Sequence, residues 1–157
     1  MNSTRLGVGI IGAGRVGPLF AAALTRAGHG LVGITPPSAA SKERVDAVVG
    51  GVVYADPLDI IERSELVVLA LPDQELQPFI EGMSLQNAWT TGQIVLHTSI
   101  THGLAVLDTA RAQGVIPLAV HPLMEFTGTS MDLARMSGAW CVISAPAVAE
   151  PIASALA

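Results

Sequence analysis

The sequence predicts an α/β fold in which a doubly wound, mainly parallel β-sheet carries helices on both faces. Short apolar runs alternate along the chain with stretches of helical spacing, which is typical of parallel strands buried on both sides. Of the 157 residues, 50% are hydrophobic and 13% are charged. A chain of this length and composition can bury a core sufficient for one domain. We therefore expect a single α/β domain.

The apolar runs and the segments between them define the expected elements. The helix that follows the first strand places Leu19, Phe20, Ala23 and Leu24 on one face, and Ser41 is the expected N-cap of the next helix. Residues 1–146 are expected to form the domain, and residues 147–157 to begin a helix that leads to a C-terminal helical domain absent from this chain. Strands are predicted at residues 6–11, 31–34, 52–54, 66–71, 94–97, 115–120 and 140–143, and helices at residues 16–27, 41–49, 56–63, 73–81 and 101–113.

Charge and composition argue against several classes of protein. The net charge is −5 and the 8 Lys and Arg residues are scattered, whereas nucleic-acid binding needs clustered cations. The most apolar run, residues 66–71, is too short to cross a membrane, and residues 1–5 lack the pattern of a signal peptide. The single cysteine excludes an intrachain disulfide and suits a cytoplasmic protein.

A glycine-rich motif follows the first predicted strand. The segment GAGRVG at residues 12–17 matches G-x-G-x-x-G and opens a predicted helix, the context in which this pattern indicates a Rossmann-type dinucleotide site. Gly12 permits the tight turn, Gly14 lets a pyrophosphate approach the backbone, and Gly17 allows close packing of the helix. The residues expected to bind the cofactor here are Gly12, Ala13, Gly14, Arg15, Val16 and Gly17.

The end of the second predicted strand indicates which dinucleotide is bound. NAD sites usually place a carboxylate about 20 residues after the motif, but no Asp or Glu occurs between Gly17 and Glu43. Hydroxyls at Thr35 and Ser38 stand there instead. With Ser41, Lys42, Arg44 and Arg15 nearby, they suit a 2′-phosphate, so NADP is favoured over NAD. The alternative is that Lys42 and Arg44 only form a solvated helix face.

Polar and turn-forming residues also follow three other predicted strands. Ligands bind outside the carboxyl ends of strands in open α/β sheets, so these residues are expected at one site, although each could instead be a strand or helix cap. His97, His102 and His121 lack the spacing and the partners of a metal site, so none is predicted. The residues expected at this edge are Leu71, Pro72, Asp73, His97, Thr98, Ser99 and His121.

Four segments together resemble the 6-phosphogluconate dehydrogenase-like Rossmann proteins. They are GVGIIGAGRVG, LVVLALPD, HTSITHG and HPLMEFTG. The chain is most similar to a bacterial family in which a Rossmann half precedes a helical C-terminal domain of unknown function. Other relatives include ketopantoate reductase, prephenate dehydrogenase and pyrroline-5-carboxylate reductase.

The resemblance implies a place for each part of the cofactor. Residues 12–17 would hold the pyrophosphate, and Thr35 and Ser38 the adenosine 2′-phosphate. Residues 71–73 would pass under the nicotinamide ribose, and residues 97–99 with His121 would border the nicotinamide and substrate. Two departures stand out. The chain ends at Ala157, before any helical domain that could close the substrate cleft or form a homodimer. Lys42 is the only lysine, whereas several relatives use a lysine as proton donor.

The leading functional hypothesis is an NADP-dependent oxidoreductase that moves hydride to or from a small carbonyl or imine substrate. Ser99 and His121 are the candidate proton donors, because a donor must titrate or relay protons near neutrality. The alternative is a non-catalytic nucleotide-binding module; a methyltransferase is disfavoured by the complete glycine motif. We expect the isolated chain to bind nucleotide without catalysing a reaction.

Overall fold

A six-stranded sheet with strand order β2-β1-β3-β4-β5-β6 forms the centre of the molecule. The structure is a computed structural model that describes residues 5–157. Residues 1–4, which belong to the segment predicted not to be a signal peptide, lie outside the described residues. The strands are β1 (Gly7–Ile11), β2 (Gly30–Ile34), β3 (Leu66–Leu69), β4 (Ile94–His97), β5 (Ile116–Pro122) and β6 (Cys141–Ser144).

The first five strands are parallel and only β6 is antiparallel to its neighbour. Because β1 pairs with both β2 and β3, the chain leaves β1 in one direction and later returns to its other side. This reversal of strand order creates a crevice at the carboxyl end of β1, where α/β proteins bind ligands. The register aligns Ile11 with Leu69, Leu69 with His97, and His97 with Ala119, so these strand ends lie side by side.

Helices cover both faces of the sheet, as the apolar strands require. One face buries a cluster that includes Phe20 of α1 and Ala153 of α7. The other face buries Ile60 of α3 and Leu76 of α4 against the strands. The predicted doubly wound α/β fold is confirmed. The helices are α1 (Gly17–Arg26), α2 (Ala39–Val49), α3 (Pro57–Arg63), α4 (Asp73–Leu85), α5 (Asp108–Arg111), α6 (Met131–Met136) and α7 (Glu150–Leu156).

Some predicted elements differ from the structure. Residues 52–54 form only an isolated bridge from Tyr54 to Ile34 rather than a strand. The helix predicted at residues 101–113 is a 3₁₀ turn (Leu104–Leu107) followed by the short α5, since Gly103 interrupts its start. Helix α2 begins at Ala39 instead of Ser41, with Ser38 at its N-cap position.

The two tryptophans occupy contrasting environments. Trp89 is 6% exposed and its indole Nε1 donates a hydrogen bond to Ser84 Oγ at 2.9 Å. Trp140, just before β6, is 84% exposed. Throughout residues 5–157, no helix combines the length and the apolar character needed to cross a membrane.

Candidate functional site

The glycine-rich loop is tight at both ends and open in the middle. Gly12 has φ +111° and lies so close to the Ala70 carbonyl that a Cβ atom would overlap it. At Gly17, a Cβ would overlap the carbonyl oxygen of Gly12. A Cβ at Gly14 would meet no atom within 4 Å. The two outer glycines are therefore needed for the loop's shape, while the middle one leaves space for a ligand at the start of α1.

Thr35, directly after β2, is bonded to this loop. Its Oγ1 accepts a hydrogen bond from the Gly12 N–H at 2.8 Å, and its own N–H donates to the Ile10 carbonyl at 3.1 Å. The structure thus brings Thr35 to the glycine loop, as expected. Its accepting oxygen already has a partner, so Thr35 fixes the turn in addition to any contact with a ligand.

Helix α2 carries two cations: Lys42 forms an ion pair with Asp46, and Arg44 points to the glycine-rich loop. Lys42 Nζ lies 2.6 Å from Asp46 Oδ2 and 5.8 Å from the centre of the Tyr54 ring. Burial is the larger cause that raises the pKa of Tyr54 to about 12, and the hydrogen bond to Asp46 is the second. Hydrogen bonds from Lys42 and Tyr54 lower the pKa of Asp46. Lys42, expected near the nucleotide site, forms an exposed ion pair with Asp46, and its contact with a nucleotide stays a prediction.

Arg44 is the cation of α2 that does reach the loop. Its Nη1 donates to the Gly14 carbonyl at 3.0 Å and its Nη2 donates to Ser41 Oγ at 3.1 Å. Ser38 Oγ in turn donates to Ser41 Oγ at 3.1 Å. The side chains of Ser38, Ser41 and Arg44 therefore form one chain of hydrogen bonds that ends on the backbone of Gly14. An alternative in which Arg44 only covers a solvated face does not account for this geometry.

Asp73 organises the edge beyond β3 and β4. It is the first residue of α4, and its two carboxylate oxygens accept hydrogen bonds from Ser99 Oγ at 2.6 Å and from Thr101 Oγ1 at 2.7 Å. The hydrogen bond from Ser99, and to a smaller extent the bond from Thr101, lower the pKa of Asp73. His102 Nε2 donates to the Asp73 backbone carbonyl at 3.0 Å. Thr101 and His102 were not predicted as site residues; the only signal was their position in the same HTSITHG run.

The hydroxyl group of Ser99 is fully hydrogen-bonded within this cluster. Its hydroxyl proton goes to Asp73, and its oxygen lies 3.3 Å from the backbone N–H groups of Thr101 and His102. A serine whose proton is already given to a carboxylate holds neighbouring groups in place more readily than it donates to a substrate. Leu71 packs against the core and Pro72 caps α4, so both shape the same edge.

His97 lies below this edge, not on it. The ring is fully buried, its Nδ1 accepts from the Ser99 N–H at 3.2 Å, and its Nε2 donates to the Gly103 carbonyl at 3.1 Å. Burial lowers the pKa of His97, so the ring is neutral with its proton on Nε2. Both nitrogens are occupied by the backbone. His97 therefore shapes the loop after β4 and does not itself present a polar atom to a cofactor.

One ring nitrogen of His121 is bonded to the backbone, and the other has no partner among the described residues. Its Nδ1–H donates to the carbonyl of buried Thr98 at 2.6 Å, which orients the ring and leaves the lone pair on Nε2. Within residues 5–157, no hydrogen-bond partner of His121 Nε2 is found. Thr98 acts through its backbone. The half-buried His121 therefore directs an imidazole nitrogen without a hydrogen-bond partner in residues 5–157 to the strand edge.

Apart from His97, which is buried below it, the predicted residues lie at one edge of the sheet in two groups. The first surrounds Gly14 and includes Arg15, Thr35 and Arg44; the second surrounds Asp73 and includes His121. Among residues 5–157, no group of three or more His, Cys, Asp or Glu side chains is arranged to hold a metal ion. The parallel sheet, the reversal at β1 and the glycine-rich loop together define an α/β domain of Rossmann type.

Comparison with known proteins agrees with this class. The Rossmann-like domain family matches residues 1–122, and the chain belongs to that family. A comparison with curated protein sequences gave no match. The resemblance to 6-phosphogluconate dehydrogenase-like proteins is confirmed at the level of the fold.

Several solved structures share this fold. The 3-hydroxyisobutyrate dehydrogenase of Mycobacterium tuberculosis superposes with a TM-score of 0.72 at 16% identity, covering 98% of this chain and 53% of that one. An imine reductase variant from Myxococcus stipitatus, solved with NAD+, gives 0.73 at 18% identity, covering 98% and 51%. The Streptomyces aurantiacus imine reductase gives 0.69 at 21% identity, covering 96% and 51%. The chain spans about half the length of these proteins.

Proposed function

We propose that the chain binds NADP and forms the cofactor half of an oxidoreductase acting on a small carbonyl or imine compound. The observation that carries the proposal is the open space at Gly14, enclosed by the tight turns at Gly12 and Gly17. A pyrophosphate needs this close approach to the backbone together with the free N–H groups at the start of α1. The residues present fit a dinucleotide. When bound, a nicotinamide cofactor supplies or accepts the hydride.

The preference for NADP over NAD rests on charge. The end of β2 carries Thr35 where a carboxylate would bind the ribose of NAD. Arg44, held on Gly14, and exposed Arg15 supply cations beside the same loop. A 2′-phosphate would gain charge-assisted hydrogen bonds from such groups, while a carboxylate would repel it. Arg44 contacts the glycine-rich loop and therefore supports the preference for NADP, whereas Lys42 is paired with Asp46.

The second group of residues would handle the proton. His121 Nε2 is free within the described residues, and the bond from Nδ1 to the Thr98 carbonyl fixes the direction of the ring. We assign His121 as the proton donor or acceptor. Asp73, with Ser99 and Thr101 on its oxygens, positions the loop that carries Thr98. Ser99 is therefore a positioning residue in this proposal.

Some names of the matched structures support the reaction class. The dehydrogenase and the imine reductases both carry names of hydride-transfer enzymes. The substrate, and assembly into a homodimer through a C-terminal helical domain, stay predictions.

A titration and an exchange assay test the proposal. The chain should bind NADPH at least about tenfold more tightly than NADH in calorimetric titrations, since a charge-assisted contact contributes about 1.5–3 kcal/mol. A library of 2-oxo acids, other carbonyls and imines is then screened for stereospecific transfer of deuterium from labelled NADPH. Equal affinities contradict the NADP assignment. Tight binding without exchange, in a protein that includes any further domain, favours a non-catalytic nucleotide-binding module.

A further inference from the structure

A segment from the far side of the sheet lies against the glycine-rich loop. Residues 127–130, which we name the crossing segment, are the last four residues of the connection from β5 to α6. At Gly128, with φ +80°, a Cβ atom would stand 2.5 Å from Arg44 Nη1 and 3.1 Å from Arg15 Cγ. The positive φ favours glycine, and a side chain at this position would require Arg44 and Arg15 to shift. The crossing segment is therefore fitted closely to the two cations beside Gly14.

Buried Asp132 holds the crossing segment in place. Its carboxylate accepts hydrogen bonds from the N–H of Thr127 at 2.7 Å, the N–H of Gly128 at 2.9 Å and the hydroxyl of Thr127 at 3.1 Å. Arg135 Nη1 lies 3.1 Å from the same carboxylate. Burial alone would raise the pKa of Asp132, but these hydrogen bonds outweigh it and hold the pKa below 3.8. A charged, fully bonded carboxylate gives the segment one defined conformation.

The cations that meet the segment have no carboxylate partner in the described chain. The ion pairs found within residues 5–157 join Lys42 to Asp46 and Arg135 to Asp132, so neither Arg15 nor Arg44 belongs to one. Arg44 brings a guanidinium nitrogen to Gly128, and Arg15 meets the same residue through its Cγ and Cα atoms. Arg44 donates one hydrogen bond to the Gly14 carbonyl and one to Ser41 Oγ, and its guanidinium has further N–H groups that can donate to a ligand.

A cavity of about 500 Å³ lies where α2 faces the crossing segment. Arg44, Thr129 and Ser130 are the polar groups in its wall that donate hydrogen bonds, and Glu43 is its acidic group. Both hydroxyl residues are exposed. The guanidinium and the hydroxyls of this wall are groups that bind phosphate, and the Glu43 carboxylate is the group in the wall that opposes it.

We propose that the crossing segment completes the 2′-phosphate subsite. The hydroxyl of Ser130 donates to the phosphate whose charge Arg15 and Arg44 neutralise. The Thr127 proton goes to Asp132, so the Thr129 hydroxyl donates to Thr127 Oγ1 at 2.9 Å, and Thr129 and Asp132 are the positioning residues that set the segment. This inference rests on the proposed NADP function and assigns part of its specificity to residues after β5.

The test compares two double variants by calorimetry with NADPH and NADH. Thr129→Val with Ser130→Ala should weaken NADPH binding about tenfold or more and leave NADH binding unchanged, because only NADPH carries the 2′-phosphate. The control variant, Thr90→Val with Ser154→Ala, changes exposed residues of the same types away from the site and should bind both nucleotides normally. Unchanged NADPH affinity in the first variant overturns the inference.

Two further variants separate this inference from the proposed function. Asp132→Asn should lower the NADPH-to-NADH affinity ratio even after correction for the fraction unfolded, which loss of fold alone would not do. Arg44→Gln should lower NADPH affinity whichever way the crossing segment behaves. If Arg44→Gln weakens NADPH binding but the variants at Thr129, Ser130 and Asp132 keep the ratio, the proposed function stands and this inference fails. If the unaltered chain binds neither nucleotide, both fail.

Discussion

Thr35 and Gly12, one after β2 and the other after β1, are joined by a hydrogen bond of 2.8 Å from the glycine N–H to the threonine hydroxyl oxygen. The bond crosses the gap between two adjacent strand ends and holds the glycine-rich turn from outside. A residue expected only to contact the nucleotide therefore also shapes the loop that would bind it.

Thr35→Val should weaken both the fold and nucleotide binding. The Gly12 N–H would lose its partner, which lowers the free energy of unfolding by about 1 kcal/mol, and the loop would lose its fixed turn. Thr35→Ser keeps the hydroxyl and is the matched control. Denaturant unfolding and calorimetry with NADPH measure the two effects. Equal behaviour of the valine and serine variants would show that the bond contributes nothing.

Thr35→Asp should shift the preference towards NADH. A carboxylate at the end of β2 can accept a hydrogen bond from the adenosine ribose of NADH, and it repels the 2′-phosphate of NADPH. The ratio of the two dissociation constants, measured by calorimetry, is the readout. An aspartate variant that keeps the original ratio would place the ribose away from Thr35.

Gly14→Val and Gly17→Ala form a contrasting pair. A side chain at Gly14 meets open space, so Gly14→Val should move the thermal midpoint by only a few degrees (about 1 kcal/mol or less) while abolishing nucleotide binding. A methyl at Gly17 would overlap the Gly12 carbonyl, so Gly17→Ala should lower the free energy of unfolding by about 2 kcal/mol or more. Thermal unfolding and NADPH titration on both variants provide the measurement. Normal NADPH binding by Gly14→Val would mean that the loop is a turn without a ligand.

His97 should make the fold sensitive to mild acid. Burial lowers the pKa of the ring in the folded chain, whereas the unfolded residue takes up a proton near its usual pKa of 6.5. The unfolded state therefore binds more protons below pH 6.5, and the free energy of unfolding falls by up to about 1.4 kcal/mol per pH unit. His97→Gln should remove this component. Denaturant unfolding from pH 7.5 to 5 compares the two proteins, and parallel curves would contradict the assignment.

His121→Ala should reduce turnover more than it reduces NADPH affinity. General acid–base catalysis contributes about 10²–10⁴-fold, and His121 is the residue to which we assign the proton. The measurement needs an active substrate from the library and the protein with any further domain it possesses. Turnover equal to that of the unaltered protein would reduce His121 to a cap on the Thr98 carbonyl.

The local parts of the fold could be predicted from the sequence because their signals are local. The glycine motif, the apolar strands and the helix of α1 each occupy a short window with a distinct pattern. Helix α6 lacks such a pattern: it has 6 residues, of which only Asp132 and Leu133 are buried. It was not predicted because its position depends on packing against α1.

The site was predicted at the level of the sheet edge but not of individual atoms. Parallel strands bring their carboxyl ends together, so the location of Asp73, Ser99 and His121 follows from topology alone. The backbone partners of the two His97 nitrogens, and the ion pair of Lys42 with Asp46, depend on side-chain directions that spacing does not give. The approach of Gly128 to Arg15 joins segments far apart in sequence, and no periodicity encodes it.

Because the two tryptophans differ in exposure, the intrinsic fluorescence of the chain can report on two of its regions separately. Trp140, at the surface, should emit at the longer wavelength of a solvated indole and be quenched by iodide in the folded protein. Trp89, enclosed beside α4 and bonded to Ser84, should be shielded from the quencher until the chain unfolds. The loss of this shielded fraction therefore reports on the core under α4, and the iodide-sensitive fraction reports on the edge of the sheet near β6.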